Sequence, residues 1–393
     1  MTFSPGSSCP KPLRGAKEHH AIFSLYVHVP FCASKCGYCS FYSRVFDEAL
    51  CGAWLTEASR EAARLMVIWR GKIPLRTVYV GGGTPSVLPF SAWKRLSEIL
   101  ERAFDFSNTE EFTVEANPCS LTGGHLQLWR DSRVTRVSLG VQSLNDGELM
   151  WLGRRHDAGM ALAALEKALS HGFRVSADLI FGLPGQTLRT WHQSLHSVLA
   201  AGAGHVSAYQ LTLEPNTPLG QLSPSLSEGC SFYRFTQWYL PRKGLAQYEV
   251  ASFARLGEEC RHNLAYWRQE SVLALGPSAW GYLSLNQHGF RYRNAPTLEE
   301  CSMSAEFSIA EAERLKGRSR GVEAAILALR TRWGIDLGSF AVRFGQELAG
   351  QVLGVLKKIP PHLVRFEGKS VSLTPAGMRV GNAIWVELLE LEG

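Results

Sequence analysis

Cys32-Ala-Ser-Lys-Cys36-Gly-Tyr-Cys39 is the stretch of this sequence best equipped for chemistry. Three thiolates in a C-x₃-C-x₂-C run can converge on one metal centre from a single loop, and soft thiolates select zinc or iron–sulfur clusters. Structural zinc takes four protein ligands, usually in C-x₂-C pairs, and no fourth Cys or His follows at that spacing. His28, just upstream, falls on an expected strand, where an imidazole packs more readily than it binds. Three protein ligands suit a [4Fe–4S] cluster and leave one iron open to a small molecule. The other cysteines (Cys9, Cys51, Cys119, Cys230, Cys260 and Cys301) are scattered and read as packed or idle thiols.

Gly81-Gly-Gly-Thr-Pro85 is a second signal. Contiguous glycines let a ligand approach the backbone and meet its N–H and C=O groups. A Gly-rich turn alone is weak, and its position gives it weight. The cysteine loop follows one expected strand and the glycine turn the next. Glu115, Gln142, Asp178, Leu211 and Thr212 lie at or near the ends of four more. In parallel β/α architectures the functional face is at the carboxyl ends of the strands, so these groups meet one ligand.

The elements that must position them are legible as alternation. Strands are expected at Phe23–Val29, Arg76–Gly81, Glu111–Ala116, Thr135–Val141, Arg174–Phe181 and His205–Leu213. Helices are expected at Glu48–Arg70, Phe90–Ala103, Leu121–Arg130, Ala158–Ser170 and Leu188–Ala201, where apolar residues recur every three or four positions. Repeated strand–helix units predict a parallel sheet, either a partial barrel or an open doubly wound sheet. Residues 214–305 read as a connection followed by an aromatic-rich region, and 306–393 as a smaller, mostly helical, winged-helix-like domain.

The chain has 393 residues, 45% hydrophobic and 19% charged, with a formal net charge of +6. That is a soluble globular composition with a mild basic excess, which favours an acidic ligand weakly. No apolar run reaches the roughly 20 residues of a membrane span. Residues 1–21 read as a loose leader, not a secretory signal. A cytoplasmic protein is expected, with peripheral contact to a membrane as an option.

On these stretches the chain resembles the radical S-adenosylmethionine (SAM) superfamily, specifically its branch of anaerobic coproporphyrinogen III oxidases and heme chaperones. The likeness is carried by Tyr26-Val-His-Val-Pro-Phe-Cys32, Cys36-Gly-Tyr-Cys39, Gly81-Gly-Gly-Thr-Pro-Ser86, Glu115-Ala-Asn-Pro118 and Gly140-Val-Gln-Ser143. Leu152-Gly-Arg154, Asp178-Leu-Ile-Phe-Gly-Leu-Pro184 and Tyr209-Gln-Leu-Thr212 continue it. The resemblance implies a partial (β/α)₆ barrel, with SAM chelating the open iron of a cluster on Cys32, Cys36 and Cys39. It places Tyr38 and Thr212 near the adenine, and Gly82, Gly83 and Glu115 near the methionyl amino group. Arg154 faces the carboxylate, Gln142 and Asp178 hold ribose hydroxyls, and Tyr26, Phe41 and Thr84 join the same pocket. One-electron reduction would split SAM into methionine and a 5′-deoxyadenosyl radical.

Within that branch the oxidases have another Cys two positions after the third cluster ligand, where this chain has Phe41. The heme chaperones have an aromatic there, usually preceded by Asp, where this chain has Ser40. The chaperones also carry H-N-x-x-Y, matched by His262-Asn263-Leu-Ala-Tyr266. If that segment is helical, His262 and Tyr266 share a face, and imidazole is a common heme-iron ligand. The resemblance implies heme or another porphyrin, heme-accepting proteins at the membrane surface and a one-electron reductant as partners, and no nucleic acid. Coproporphyrinogen III oxidation and chemistry on another tetrapyrrole are the alternatives.

Overall fold

The computed structural model describes residues 22–222, 224–285, 288–302 and 309–392. The expected leader, 1–21, and the expected domain boundary at 305/306 lie outside them. Six strands run in parallel: β1 (Phe23–Val29), β2 (Ile73–Gly82), β3 (Glu111–Ala116), β4 (Arg136–Gln142), β5 (Arg174–Phe181) and β6 (His205–Gln210). They lie side by side in sequence order, with α1 (Glu48–Trp69), α2 (Phe90–Ala103), α3 (Gly123–Asp131), α4 (Ala158–Ser170) and α5 (Leu188–Ala200) between them. Each expected strand and helix is present, with ends moved by a few residues at most. The register is pinned by side-chain alternation: Leu25, Val27 and Val29 are buried in the helix-facing core while Ser24, Tyr26 and His28 face the other way. Trp54, Trp93, Trp129 and Trp191, one from each of four crossover helices, are fully buried in that outer core.

The middle of the chain is more than a connection. Ser252–Ala254 pairs antiparallel with β6 at one edge of the sheet. At the other edge β7 (Val272–Leu275) pairs parallel with β1. It is followed by an antiparallel run of β8 (Trp280–Leu285), β9 (His288–Asn294) and β10 (Ile309–Lys316). The large sheet therefore reaches to Lys316, beyond the boundary expected from composition. Between the two edges α6 (Gly229–Arg242) packs on α5, and α7 (Arg261–Trp267) crosses the amino-terminal end of the strands.

A separate apolar cluster begins at Val322. It joins α8 (Gly317–Leu329), α9 (Leu337–Phe344), α10 (Gln346–Lys358) and α11 (Gly381–Leu389) to a small sheet of Ile335–Asp336, Ser370–Leu373 and Val364–Glu367. Helices joined to a short strand wing agree with the mostly helical, winged-helix-like reading of the tail.

Candidate functional site

The cysteine loop is built on short-range pairing. Phe31–Cys32 and Arg44–Val45 form a two-residue parallel ladder, and Phe46 N–H donates to the Cys32 carbonyl at 2.9 Å. Beneath, His28 Nε2–H donates to the Tyr42 carbonyl at 2.8 Å. Burial lowers the His28 pKa to about 4, so it is a neutral packing imidazole. Cys32, Cys36 and Cys39 are each partly exposed. Thr84 Oγ1 donates to Cys32 Sγ and Arg154 Nη1 to Cys36 Sγ, each at 3.5 Å, and donors of this kind favour thiolates. Burial pushes the Cys39 thiol up. Among the described residues no three His, Cys, Asp or Glu side chains converge to hold one metal ion. Three thiolates from one loop would hold a [4Fe–4S] cluster and leave one iron without a protein ligand. The donor set fits the cluster.

The glycine turn is needed for close approach. A Cβ on Gly83 would stand 2.4 Å from the Phe31 carbonyl oxygen, and one on Gly82 2.4 Å from His28 Nδ1. Gly82 also has φ +107, a conformation that L side chains rarely adopt. These glycines bring the turn onto the cysteine loop, where Thr84 N–H donates to the Phe31 carbonyl at 2.7 Å.

At the carboxyl ends of the strands lies a cavity of about 500 Å³. Its wall holds the three cysteines, Tyr38, Phe41, Gly82, Gly83, Thr84, Glu115, Gln142, Arg154, Asp178 and Thr212. All the residues expected around SAM are thus brought together, with one exception. Tyr26 is off the cavity wall, with its hydroxyl 3.2 Å from His28 Nδ1, although it is the register partner of Tyr79.

Glu115 accepts from Tyr79 O–H at 2.8 Å and from Gly82 N–H at 3.0 Å, and burial raises its pKa to about 7. Asp178 accepts from Ser138 at 2.8 Å and Ser176 at 3.0 Å, and burial raises its pKa as well. Gln142 sits at φ +66 after a register shift in β4. A Cβ on Gly140 would meet Gln142 Nε2 at 2.8 Å, so that glycine leaves room for the amide. Arg154 donates through Nη2 to the Gly140 carbonyl at 2.8 Å, while its buried Nε has no partner among the described residues. One guanidinium thus reaches Cys36 Sγ and keeps a donor uncommitted.

The H-N-x-x-Y segment is helical, as α7, yet its imidazole does not face solvent. His262 is 1% exposed, inserted into the barrel from its amino-terminal end. Its Nδ1 lies 2.9 Å from Thr77 Oγ1, whose own O–H donates to Ser24 at 2.7 Å. Thr77 therefore accepts from Nδ1–H, and Nε2 is left as a buried atom without a partner. The rings of Tyr79, Tyr266 and Tyr26 surround it at centroid distances of 5.1, 5.5 and 6.5 Å, and burial lowers its pKa to about 3. His262, Asn263 and Tyr266, the residues the motif assigns to heme, thus lie together on α7, with the imidazole enclosed by these rings. The i, i+4 face carrying His262 and Tyr266 is the face that seals the barrel floor, and Asn263 beside it is half-buried.

Tyr79, Ser138 and Asn117 also line the cavity and were not anticipated. Their signal was available in the alternation of polar residues along each strand: Thr77 and Tyr79, Glu111, Thr113 and Glu115, Arg136 and Ser138, His205 and Ser207. Such alternation marks a polar barrel interior.

Fold and site together define a radical SAM protein, whose family implies a [4Fe–4S] cluster and SAM. A family model described as the Radical SAM superfamily matches residues 26–198, and one described as the HemN C-terminal domain matches residues 315–380. The chain is 32% identical over 375 residues to heme chaperone HemW of Bacillus subtilis, covering 92% of this chain and 98% of that protein. Heme chaperone HemW of Mycobacterium tuberculosis is 33% identical over 380 residues, covering 93% and 95%. The Bos taurus mitochondrial radical S-adenosyl methionine domain-containing protein 1 is 36% identical over 319 residues, covering 78% and 69%. The chain belongs to the HemW family of the radical SAM superfamily. In fold it matches the coproporphyrinogen III oxidase HemN of Escherichia coli, with TM-score 0.85 over 98% of this chain and 94% of that one, at 21% identity.

Proposed function

We propose that this chain is a heme chaperone that binds heme and passes it to respiratory hemoproteins. The cluster is held on Cys32, Cys36 and Cys39, and SAM lies in the adjoining cavity. The observation that carries this reading is Phe41. It stands at the cavity wall, 66% exposed, where the oxidases of this branch have a further thiol. Relatives named heme chaperone match the chain over nearly its whole length, which supports the same reading.

When bound, the cluster supplies an electron to SAM from an external one-electron reductant. The residues of the chain bind and orient. Glu115 and the Gly82–Gly83 backbone receive the methionyl amino group, and Arg154 takes the carboxylate. Asp178 and Gln142 take the ribose hydroxyls, and Tyr38, Thr84 and Thr212 bound the remaining wall. No helix among the described residues is long and apolar enough to cross a membrane. We place contact with membrane-bound heme acceptors at the membrane surface.

The test is an anaerobic reconstitution followed by two assays. Hemin should bind stoichiometrically, and coproporphyrinogen III incubated with SAM and reductant should be recovered unchanged. Harderoporphyrinogen or protoporphyrinogen in the second assay would establish the oxidase instead.

A further inference from the structure

A chain of buried hydrogen bonds runs down the barrel interior from the SAM cavity to the helix that closes its floor. It starts at Asp178 on β5, which lines the cavity. Ser138 O–H donates to Asp178 Oδ2 at 2.8 Å and Ser176 O–H to Oδ1 at 3.0 Å. Ser176 Oγ lies 2.7 Å from Nδ1 of His205, the first residue of β6. His205 Nε2 lies 2.9 Å from the Tyr248 hydroxyl, and that oxygen accepts from Cys260 N–H at 3.2 Å. Cys260 is the residue that caps the start of α7. Ser176, His205, Tyr248 and Cys260 are all buried, so each polar group must find its partner inside the protein.

The direction of every link is forced. Ser176 has one proton and gives it to Asp178, so its oxygen accepts from His205 Nδ1–H. At the other end an amide N–H can only donate, so the Tyr248 oxygen accepts from Cys260 and its own O–H goes to Nε2. Burial and the nearby Arg136 guanidinium hold the His205 pKa well below the usual imidazole range, which keeps the ring neutral with a single N–H. Burial keeps the Tyr248 hydroxyl protonated. Both ends therefore demand the Nδ1–H tautomer, and four donors point one way, from Cys260 to the Asp178 carboxylate. The opposite tautomer would draw the Ser176 proton to Nδ1 and take it away from Asp178.

We infer that His205 is a positioning residue for SAM binding. Through Ser176 it fixes Asp178, the carboxylate assigned to the ribose hydroxyls, and Tyr248 holds it in the tautomer this requires. The inference rests on that reading of Asp178. The same network holds the first turn of α7. Cys260 Sγ–H donates to Glu111 Oε1 at 3.5 Å, and His262 N–H donates to the same oxygen at 3.0 Å. The ribose side of the cavity and the helix carrying the H-N-x-x-Y motif thus share one set of buried bonds.

The experiment combines calorimetry of SAM binding with NMR of cluster-loaded, ¹⁵N-histidine-labelled protein. Wild type should show His205 as the Nδ1–H tautomer, and its Nδ1 resonance should shift when SAM binds. His205→Leu should weaken SAM binding about threefold to tenfold, the worth of one ordinary hydrogen bond, with the cluster absorption of wild type. His205→Asn returns an amide N–H near the Nδ1 position and should recover most of that affinity. Leu fills the site better than Asn, so a role in packing alone predicts the reverse order. Tyr248→Phe keeps the ring, removes only the O–H and should also weaken binding, which tests the chain even where His205→Leu fails to fold. Wild-type affinity in these variants, Leu binding better than Asn, or an Nε2–H tautomer overturns the inference while Asp178→Ala still weakens binding. Wild-type affinity in Asp178→Ala overturns the reading on which it rests.

Discussion

Thr77 Oγ1 and His262 Nδ1 lie 2.9 Å apart inside the barrel, joining the second strand to the helix that closes the barrel floor. The helix carrying the H-N-x-x-Y motif therefore closes the barrel beneath the cavity. Removing a fully buried ring loses its transfer energy and leaves a cavity. His262→Ala should cost about 2–4 kcal/mol of stability, read as a lowered denaturation midpoint with unchanged slope in urea.

The same burial makes the fold acid-sensitive. The folded-state pKa values of His262 and His28 are lowered to about 3 and about 4, below the ordinary 6.5. Between those values the unfolded chain binds more protons, so stability is complete above about pH 6.5 and is lost as pH falls. Each histidine contributes at most about 1.4 kcal/mol per pH unit in that window. Urea melts from pH 7 to pH 4 should show the loss, and His262→Gln should shallow the slope.

Cluster loading tests the thiolates. Reconstituted protein should hold about four irons per chain, as a cubane does. Cys32→Ala, Cys36→Ala and Cys39→Ala should each abolish the cluster absorption, while circular dichroism stays as in wild type. Full iron and sulfide in all three variants would refute the assignment.

Arg154 and Asp178 face the cavity from separate elements. Arg154→Ala and Asp178→Ala should keep the cluster and weaken SAM binding by about 1.5–3 kcal/mol each, the range for a hydrogen bond to a charged group. Isothermal calorimetry gives the answer, and wild-type affinity in both would remove them from the site.

Glu115 ties SAM binding to pH. Its folded-state pKa is raised to about 7, so the carboxyl is partly protonated near neutrality. An amino group donating a hydrogen bond to it favours the carboxylate, so binding at pH 6.5 should release a proton from Glu115 beside the one the SAM ammonium loses on chelating iron, and affinity should rise as pH goes from 6 to 7.5. Calorimetry in buffers of different ionisation enthalpy counts the protons, and Glu115→Gln should lower the number released.

What the sequence determined by itself is the set of features that depend on neighbours along the chain. The three cysteines share one loop, so their spacing announces a metal centre before any fold is known. Gly81 to Thr84, Glu115, Gln142 and Asp178 each close a strand readable from periodicity, and parallel strands bring their carboxyl ends to one face. The positions that only tertiary structure decided depend on register and on contacts between distant segments. Tyr26 and Tyr79 are the same residue type and direct register partners on adjacent strands, yet Tyr79 is on the cavity wall and Tyr26 is not. β7 extends the sheet by pairing with β1, a partnership between segments some 240 residues apart that no local pattern encodes. His262 is the clearest case. Helical spacing correctly places it on one face with Tyr266, but whether that face looks toward solvent or into the barrel is set by what α7 packs against. Here it packs against Thr77 and Tyr79, because a polar barrel interior closed by a helix must supply that helix's buried groups with partners.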